Sequence, residues 1–374
     1  MEEFTKKITE GKGAFSLYIP KKWINRWRDI QLKERNVRMI LLEDFLVITP
    51  VHKSSFASLY VSSHSVDDIQ RFILASYIKG FEGAELIAAD RFSDEQIMGS
   101  RDFVRFLDER ISLDATEKRI ELKFDNPREG TNSSFVHMRS LIFDKLGDAF
   151  QLLKELIEYF DRNARRSLHI MQILRLLEED IDKLVFRILR QASRFEMPIE
   201  TISDLHFVSL TESYLESMSD SVFGIVRSVC GIYEIDYRRL SFPTDVLMRD
   251  VVPTQFVRSG DCEAIKKLYM AYLDLCKTHI NKIYSCVVNK NPLEAFALKE
   301  DLVKLREKII DDMNNKLDSF FKKKTKEEPY PKTADLLAIG HRIADIITKL
   351  EELAKLVTIY QVPMQSEITE GRVQ

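Results

Sequence analysis

Apolar positions along the chain change their period twice. Over residues 4–50 they come in short runs. Phe15, Leu17 and Ile19 alternate with Ser16 and Tyr18, the period of a half-buried strand. Pro20 suits the first position of a helix, where its missing N–H would have no partner anyway. Trp23, Ile24 and Trp27 then fall on one helical face, and two further strands near 37–42 and 45–49 close a first unit over 1–53. Residues 54–125 read differently. "ASLYVSS", "AELIAAD" and "KRIELKF" have strand character, and two helical stretches separate them. The first opens at Ser65 with Asp68 three residues on and ends at Gly80. A small α/β module fits, ended by the turn-rich "DNPREGTNSS" at 125–134. From about 134 the period is helical and stays so. Six helices are predicted near 135–160, 163–195, 204–231, 261–289, 292–323 and 333–361, each about 35–50 Å long at 1.5 Å per residue. Three helices, a long irregular crossing and three more suggest a duplicated bundle over 134–240 and 258–365. The fold class expected is therefore α+β and multidomain.

Composition sharpens this picture in few places. Charged residues make up 31% of a 374-residue chain with only 12 Gly and 10 Pro, which suits long surface-charged helices. A net charge of −3 means that any anionic partner must be met by a local patch. Cys230, Cys262, Cys276 and Cys286 show no zinc spacing, and no signal peptide precedes them, so reduced thiols and a cytoplasmic location are expected. No apolar run approaches the roughly 18 residues that would span a bilayer, so membrane insertion is not expected.

One local patch does exist. Between Phe4 and Arg28 lie seven basic residues against one acid, a local net of about +6. Such a cluster is the footprint of phosphate-backbone binding, and equally the pattern of a lysine-rich edge that blunts strand pairing. No P-loop or GxGxxG occurs, and the amphipathic piece is too short to lie on a membrane. The stretch "KKITEGKGAFSLYIPKKWINRW…NVRMILLEDFLVITP" resembles the AbrB/SpoVT family of swapped-hairpin DNA-binding domains. That resemblance implies a homodimer with interlaced hairpins and assigns DNA contacts to Lys7, Lys12, Lys21, Lys22 and Arg26. Where the family has "GD-V" before its third strand, this chain has "ERNV" at 34–37.

The bundle carries a second pattern. Glu178 and Asp182 stand four apart in one helix, and Glu216 and Asp220 repeat the spacing in the next, so each pair shares a helix face. If the helices are neighbours, four carboxylates meet. Oxygen-only ligands suit a hard cation, although E-x-x-x-D also occurs on solvated faces. These motifs and their helices resemble the PhoU family of phosphate-uptake regulators, which have two three-helix repeats with metal-binding acidic motifs. The resemblance implies one metal site at Glu178, Asp182, Glu216 and Asp220, taking a divalent or ferric ion among iron, manganese, magnesium, calcium and zinc. "KEDLVKL" (299–305) aligns with "EEDIDKL" (178–184), and "HRIAD" (341–345) with "ESMSD" (216–220). The second repeat therefore offers Lys299, Val303 and His341, with only Asp345 retained, and its site is lost.

No Glu-x-x-His pair, HExxH or GxSxG occurs, and no nucleophile, base and orienter combine, so no enzyme is expected. Two functions follow from the resemblances. One is a DNA-binding regulator of phosphate uptake whose bundle senses a metal or a partner. The other is a dimeric adaptor docking on a phosphate ABC transporter ATPase or a signalling kinase.

Overall fold

The computed structural model describes residues 9–11, 14–16, 32–41, 46–52, 56–61, 64–124, 135–160, 162–194, 202–249, 260–289, 291–323 and 331–360. Before residue 56, and at 202, 260–262, 316–323 and 331–334, it describes the backbone alone. Among these residues the chain is mostly helical, with a small four-stranded mixed sheet towards the N-terminus and a C-terminal helical region.

Two antiparallel hairpins come first. β1 (Thr9–Gly11) pairs with β2 (Ala14–Ser16), and β3 (Leu32–Leu41) with β4 (Leu46–His52). The predicted strand over 15–19 is described to Ser16, and the predicted helix at 20–28 lies outside the described residues. The second hairpin is longer than its apolar pattern indicates, and its register shifts between Leu32 and Val37, as backbone pairing extends past the apolar run.

The α/β module runs β5 (Phe56–Val61), α1 (Val66–Ile78), β6 (Gly83–Ala88), α2 (Asp94–Leu107), β7 (Ser112–Ala115) and β8 (Arg119–Lys123). The sheet order is β5-β6-β8-β7, parallel between β5 and β6 and antiparallel elsewhere. Both helices open on complete capping boxes. Ser65 Oγ accepts from Asp68 N at 3.2 Å, and Ser93 Oγ from Gln96 N at 3.2 Å. Each returned side chain satisfies the cap's own N–H, so two orphan donors are met at each helix start. Gly80 ends α1 with φ +79°, a left-handed turn that glycine takes without steric cost. Ile69, Ile73, Leu86, Ile120 and Leu122 form the module's core at zero exposure.

The helical region contains α3 (Phe135–Tyr159), α4 (Ala164–Ser193) and α5 (Ile202–Ile232) as one triplet. It continues with α7 (Gly260–Asn289), α8 (Pro292–Lys323) and α9 (Pro331–Tyr360) as another. The crossing between them is not wholly irregular. It holds a 3₁₀ turn (Tyr237–Ser241) and a single-turn helix α6 (Thr244–Leu247), tied to α4 by Gln172, which donates to Leu240 O and Phe242 O at 3.1 and 2.6 Å. Within the first triplet α4 packs between α3 and α5; in the second, α8 packs on α7 and α9. Between triplets, first helix packs on first (α3 on α7) and third on third (α5 on α9). One continuous apolar core runs through all six, from Ile142 and Leu146 to Ile343 and Leu350.

A candidate carboxylate site

Packing of α4 against α5 brings the four acids into one electrostatic unit. Ile181 and Val185 on α4 and Leu215, Met218 and Val222 on α5 are buried between the helices, which fixes the phase at which the acidic positions emerge. Glu178 and Asp182 are half-buried a turn apart, Glu216 is half-buried, and Asp220 sits at the exposed rim. Burial, and then the Asp220 charge, push the Glu178 carboxyl up to about 7. Asp182 is pushed up to about 8, first by burial and then by Glu178, Glu216 and Asp220. Glu216 is raised by burial and Asp220; Asp220 is raised by burial, against the pull of Arg227 and Arg342. Glu178, Asp182 and Glu216 therefore resist ionising while their neighbours are charged, and Asp220 resists through burial. Asp182 Oδ1 is buried without a hydrogen-bond partner.

Two arginines that the acidic spacing does not reveal face this group. Arg227 lies seven residues beyond Asp220 on the same side of α5, with its guanidinium 5.0 Å from the Phe223 ring and 4.8 Å from that of Tyr237. Arg342 reaches over from α9. Gly224 makes room for it, since a Cβ there would lie 2.7 Å from Arg342 Nε. The i, i+7 spacing of Arg227 is a signal the sequence offers, whereas Arg342 needs the α5–α9 packing to be found.

An all-oxygen donor set with an unpartnered buried carboxylate oxygen fits a hard cation chemically. In the arrangement seen here, among the described residues, no three acid, histidine or cysteine side chains stand close enough to grip one ion together.

The aligned face of the second triplet is different in kind. Lys299 lies with Nζ 5.6 Å from the Phe296 ring, Val303 is half-buried, and His341 and Asp345 are exposed. Asp345 pairs only loosely with Arg342, at 3.5 Å. Lys7, Lys12, Lys21, Lys22 and Arg26 lie outside the described residues.

Away from the acids, two buried arginines escaped sequence reasoning, because an arginine at helical spacing reads as solvated. Arg139 on α3 donates Nε–H to Glu212 Oε1 on α5 at 2.8 Å, with both side chains buried. Arg190 on α4 donates to Tyr77 O of the module at 2.7 Å. Among the described residues, no helix is long and apolar enough to cross a membrane. No protein-family model, curated protein or solved structure matches the chain.

Proposed function

We propose that this chain is a non-catalytic, PhoU-like regulator of phosphate uptake: a dimeric, cytoplasmic protein with a basic DNA-binding head, an α/β module and a sensing bundle of two three-helix repeats. The observation that carries the reading is the gathering of Glu178, Asp182, Glu216 and Asp220 between α4 and α5, with an orphaned oxygen on Asp182. Such a group destabilises the fold unless a positive charge is supplied, which is what a binding site for a hard cation requires. The four acids would hold a single cation, and the cation would supply the charge that lets them ionise. The pairing of first helix with first and third with third supports a duplicated origin for the bundle. The local charge of about +6 over Phe4–Arg28 supports phosphate-backbone contact by the head. Occupancy of the bundle and DNA affinity of the head would then be linked through the dimer.

The adaptor reading draws on a different feature. Val288, Leu293 and Phe296 stand exposed around the α7–α8 turn, Leu293 at 83%. An exposed apolar corner of this kind suits a protein partner such as a transporter ATPase.

Titration of the full-length protein against labelled promoter DNA at two salt concentrations separates the readings. The regulator binds with an affinity that falls steeply with salt and collapses in a Lys21→Ala/Lys22→Ala/Arg26→Ala variant. Absence of binding at low salt would leave the adaptor.

A further inference from the structure

The two edges of the module's sheet are guarded differently. β7 is four residues long and carries Asp114, a short and charged edge of the kind that discourages pairing with another chain. β5, at the other edge, reads FASLYV and has neither charge nor proline. Its phase is fixed by the pairing with β6. Val61 O accepts from Ala89 N at 2.8 Å, so the peptide groups of Ala57, Leu59 and Val61 point to β6. Those of Phe56, Ser58 and Tyr60 point outward, where no strand pairs with them among the described residues. The side chains alternate in step. Ala57, Leu59 and Val61 face the core under α1 and α2, and Phe56, Ser58 and Tyr60 lie on the opposite face of the sheet. Ser58 is exposed, and Tyr60 is 74% exposed. The Phe56 ring lies across Gly83, where any Cβ would collide with it. α4 meets the module through α1 and α2, the layer opposite this face.

We propose that β5 pairs with β5 of a second copy, antiparallel about a two-fold axis through Ser58, so that two four-stranded sheets join into one. The proposal rests on the dimeric reading above and deepens it by naming a contact. In that register the strand is its own complement. Ser58 faces its counterpart on the axis, and Phe56 faces Tyr60 of the second copy. The outward peptide groups of the facing pairs then exchange about six hydrogen bonds. An aromatic pair flanks the axis on each side, the kind of cross-strand contact that stabilises a sheet. No like charges meet at the seam. Glu85 is the neighbour of Ser58 on β6, so the two copies of Glu85 stand three strand spacings apart, about 14 Å, beyond the screening length at physiological salt. Each is also held by its own Arg119 at 2.6 Å. Chain length favours a second copy over a foreign strand. Only residues 53–55 join β4 to β5, so the end of the first unit lies within about 14 Å of Phe56. In the proposed register the two copies of Phe56 stand about 15 Å apart, four residues along the strand and one spacing across. A paired first unit therefore presents the two β5 strands to one another at an effective concentration in the millimolar range, an advantage a free strand lacks.

The test is cysteine crosslinking of the full-length protein, with the oligomeric state read by light scattering. Ser58→Cys places a thiol at the axis, where the two Cα atoms stand about 5.5 Å apart, within disulfide reach. Ser112→Cys, on β7, is the control, because its two copies would lie seven strand spacings, roughly 33 Å, apart. Wild type, in which Cys230, Cys276 and Cys286 are buried, sets the background. Under mild oxidation Ser58→Cys is expected to form a covalent dimer about tenfold faster than Ser112→Cys, or faster still. Adding Tyr60→Lys, a change at an exposed position that leaves the module's own pairing alone, should slow that crosslink several-fold. A wild-type dimer in which Ser58→Cys crosslinks no faster than the control would overturn the β5 seam and leave the dimeric reading standing. So would a crosslink that Tyr60→Lys does not slow. A wild type that stays monomeric would overturn both.

Discussion

Where α4 and α5 set Glu178, Asp182, Glu216 and Asp220 against one another, α8 and α9 carry Lys299, Val303, His341 and Asp345 at the aligned positions, and the helices still pair in the same order. The helical arrangement therefore does not need the acids. In the first triplet they are a burden, since burial raises all four carboxyls and repulsion from neighbouring acids raises Glu178, Asp182 and Glu216 further. The fold thus carries such a group between α4 and α5 and not at the corresponding places on α8 and α9, at a cost to its stability.

The largest contrast between the halves should appear in their interhelical ion pairs. Glu212 is fully buried against Arg139. The second triplet's Arg306–Glu351 pair, at 2.8 Å, leaves the arginine about one-third exposed. Removing one partner of a buried pair strands the other charge, so Glu212→Gln should lower stability by about 3–5 kcal/mol in urea unfolding. Glu351→Gln should cost about 1 kcal/mol or less, in keeping with a partly solvated pair. Equal losses would mean that the two halves do not differ in how far they bury charge.

A smaller effect sharpens the carboxylate comparison. Glu178 and Asp182 titrate above the ordinary carboxylate range when folded, so between about pH 4 and pH 8 the native state binds more protons than the unfolded chain. Stability without added metal should therefore fall as pH rises across that window. Glu178→Gln/Asp182→Asn should flatten the slope and raise Tm at pH 8 by about 5 °C, at about 2–4 °C per kcal/mol for a domain the size of the helical region. A thermal melt series from pH 5 to pH 8 reads both, and an unchanged slope would show that the acids ionise freely.

The smallest expected effect concerns a helix end. At the C-terminus of α5, Glu234 takes φ 59°, with Ile235 N bonded back to Cys230 O at 3.0 Å. Gly80 plays the same part after α1, where Phe81 N bonds to Ser76 O at 3.2 Å. Glu234→Gly should relieve the left-handed strain and stabilise the bundle by about 1 kcal/mol. Calorimetry would detect the gain.

Much of the fold was legible because its elements are long and strongly periodic. The six helices begin and end within about two residues of their apolar repeats, a match the physics of an amphipathic face makes possible. The four acids were legible because i, i+4 spacing fixes a shared face whatever the tertiary structure. β7 was missed. "SLDA" alternates Leu113 and Ala115 with Ser112 and Asp114, but over too few residues to stand out, and it forms a strand because β8 pairs with it, its hairpin closed by Thr116 N bonding to Arg119 O at 2.8 Å. The short helices of the crossing were missed because their anchor, Gln172, lies some 65–75 residues earlier in the chain. Arg139 and Arg190 could not be recognised as buried from sequence, since each depends on a partner more than 70 residues away.

The pairing of α3 with α7 has a consequence for synthesis. Lys154 meets Asp274 at 2.6 Å, and Lys277 meets Gln151 at 3.2 Å, across 120 and 126 residues of sequence. A ribosome adding about 5–20 residues per second needs roughly 6–26 s between finishing α3 and finishing α7. Through that interval the apolar face of α3 that α7 will cover, with Phe143 among its residues, has no permanent neighbour, and α5 waits longer still for α9. The nascent first triplet therefore keeps apolar surface open to other chains until α7 and α9 emerge, the condition under which aggregation competes with folding.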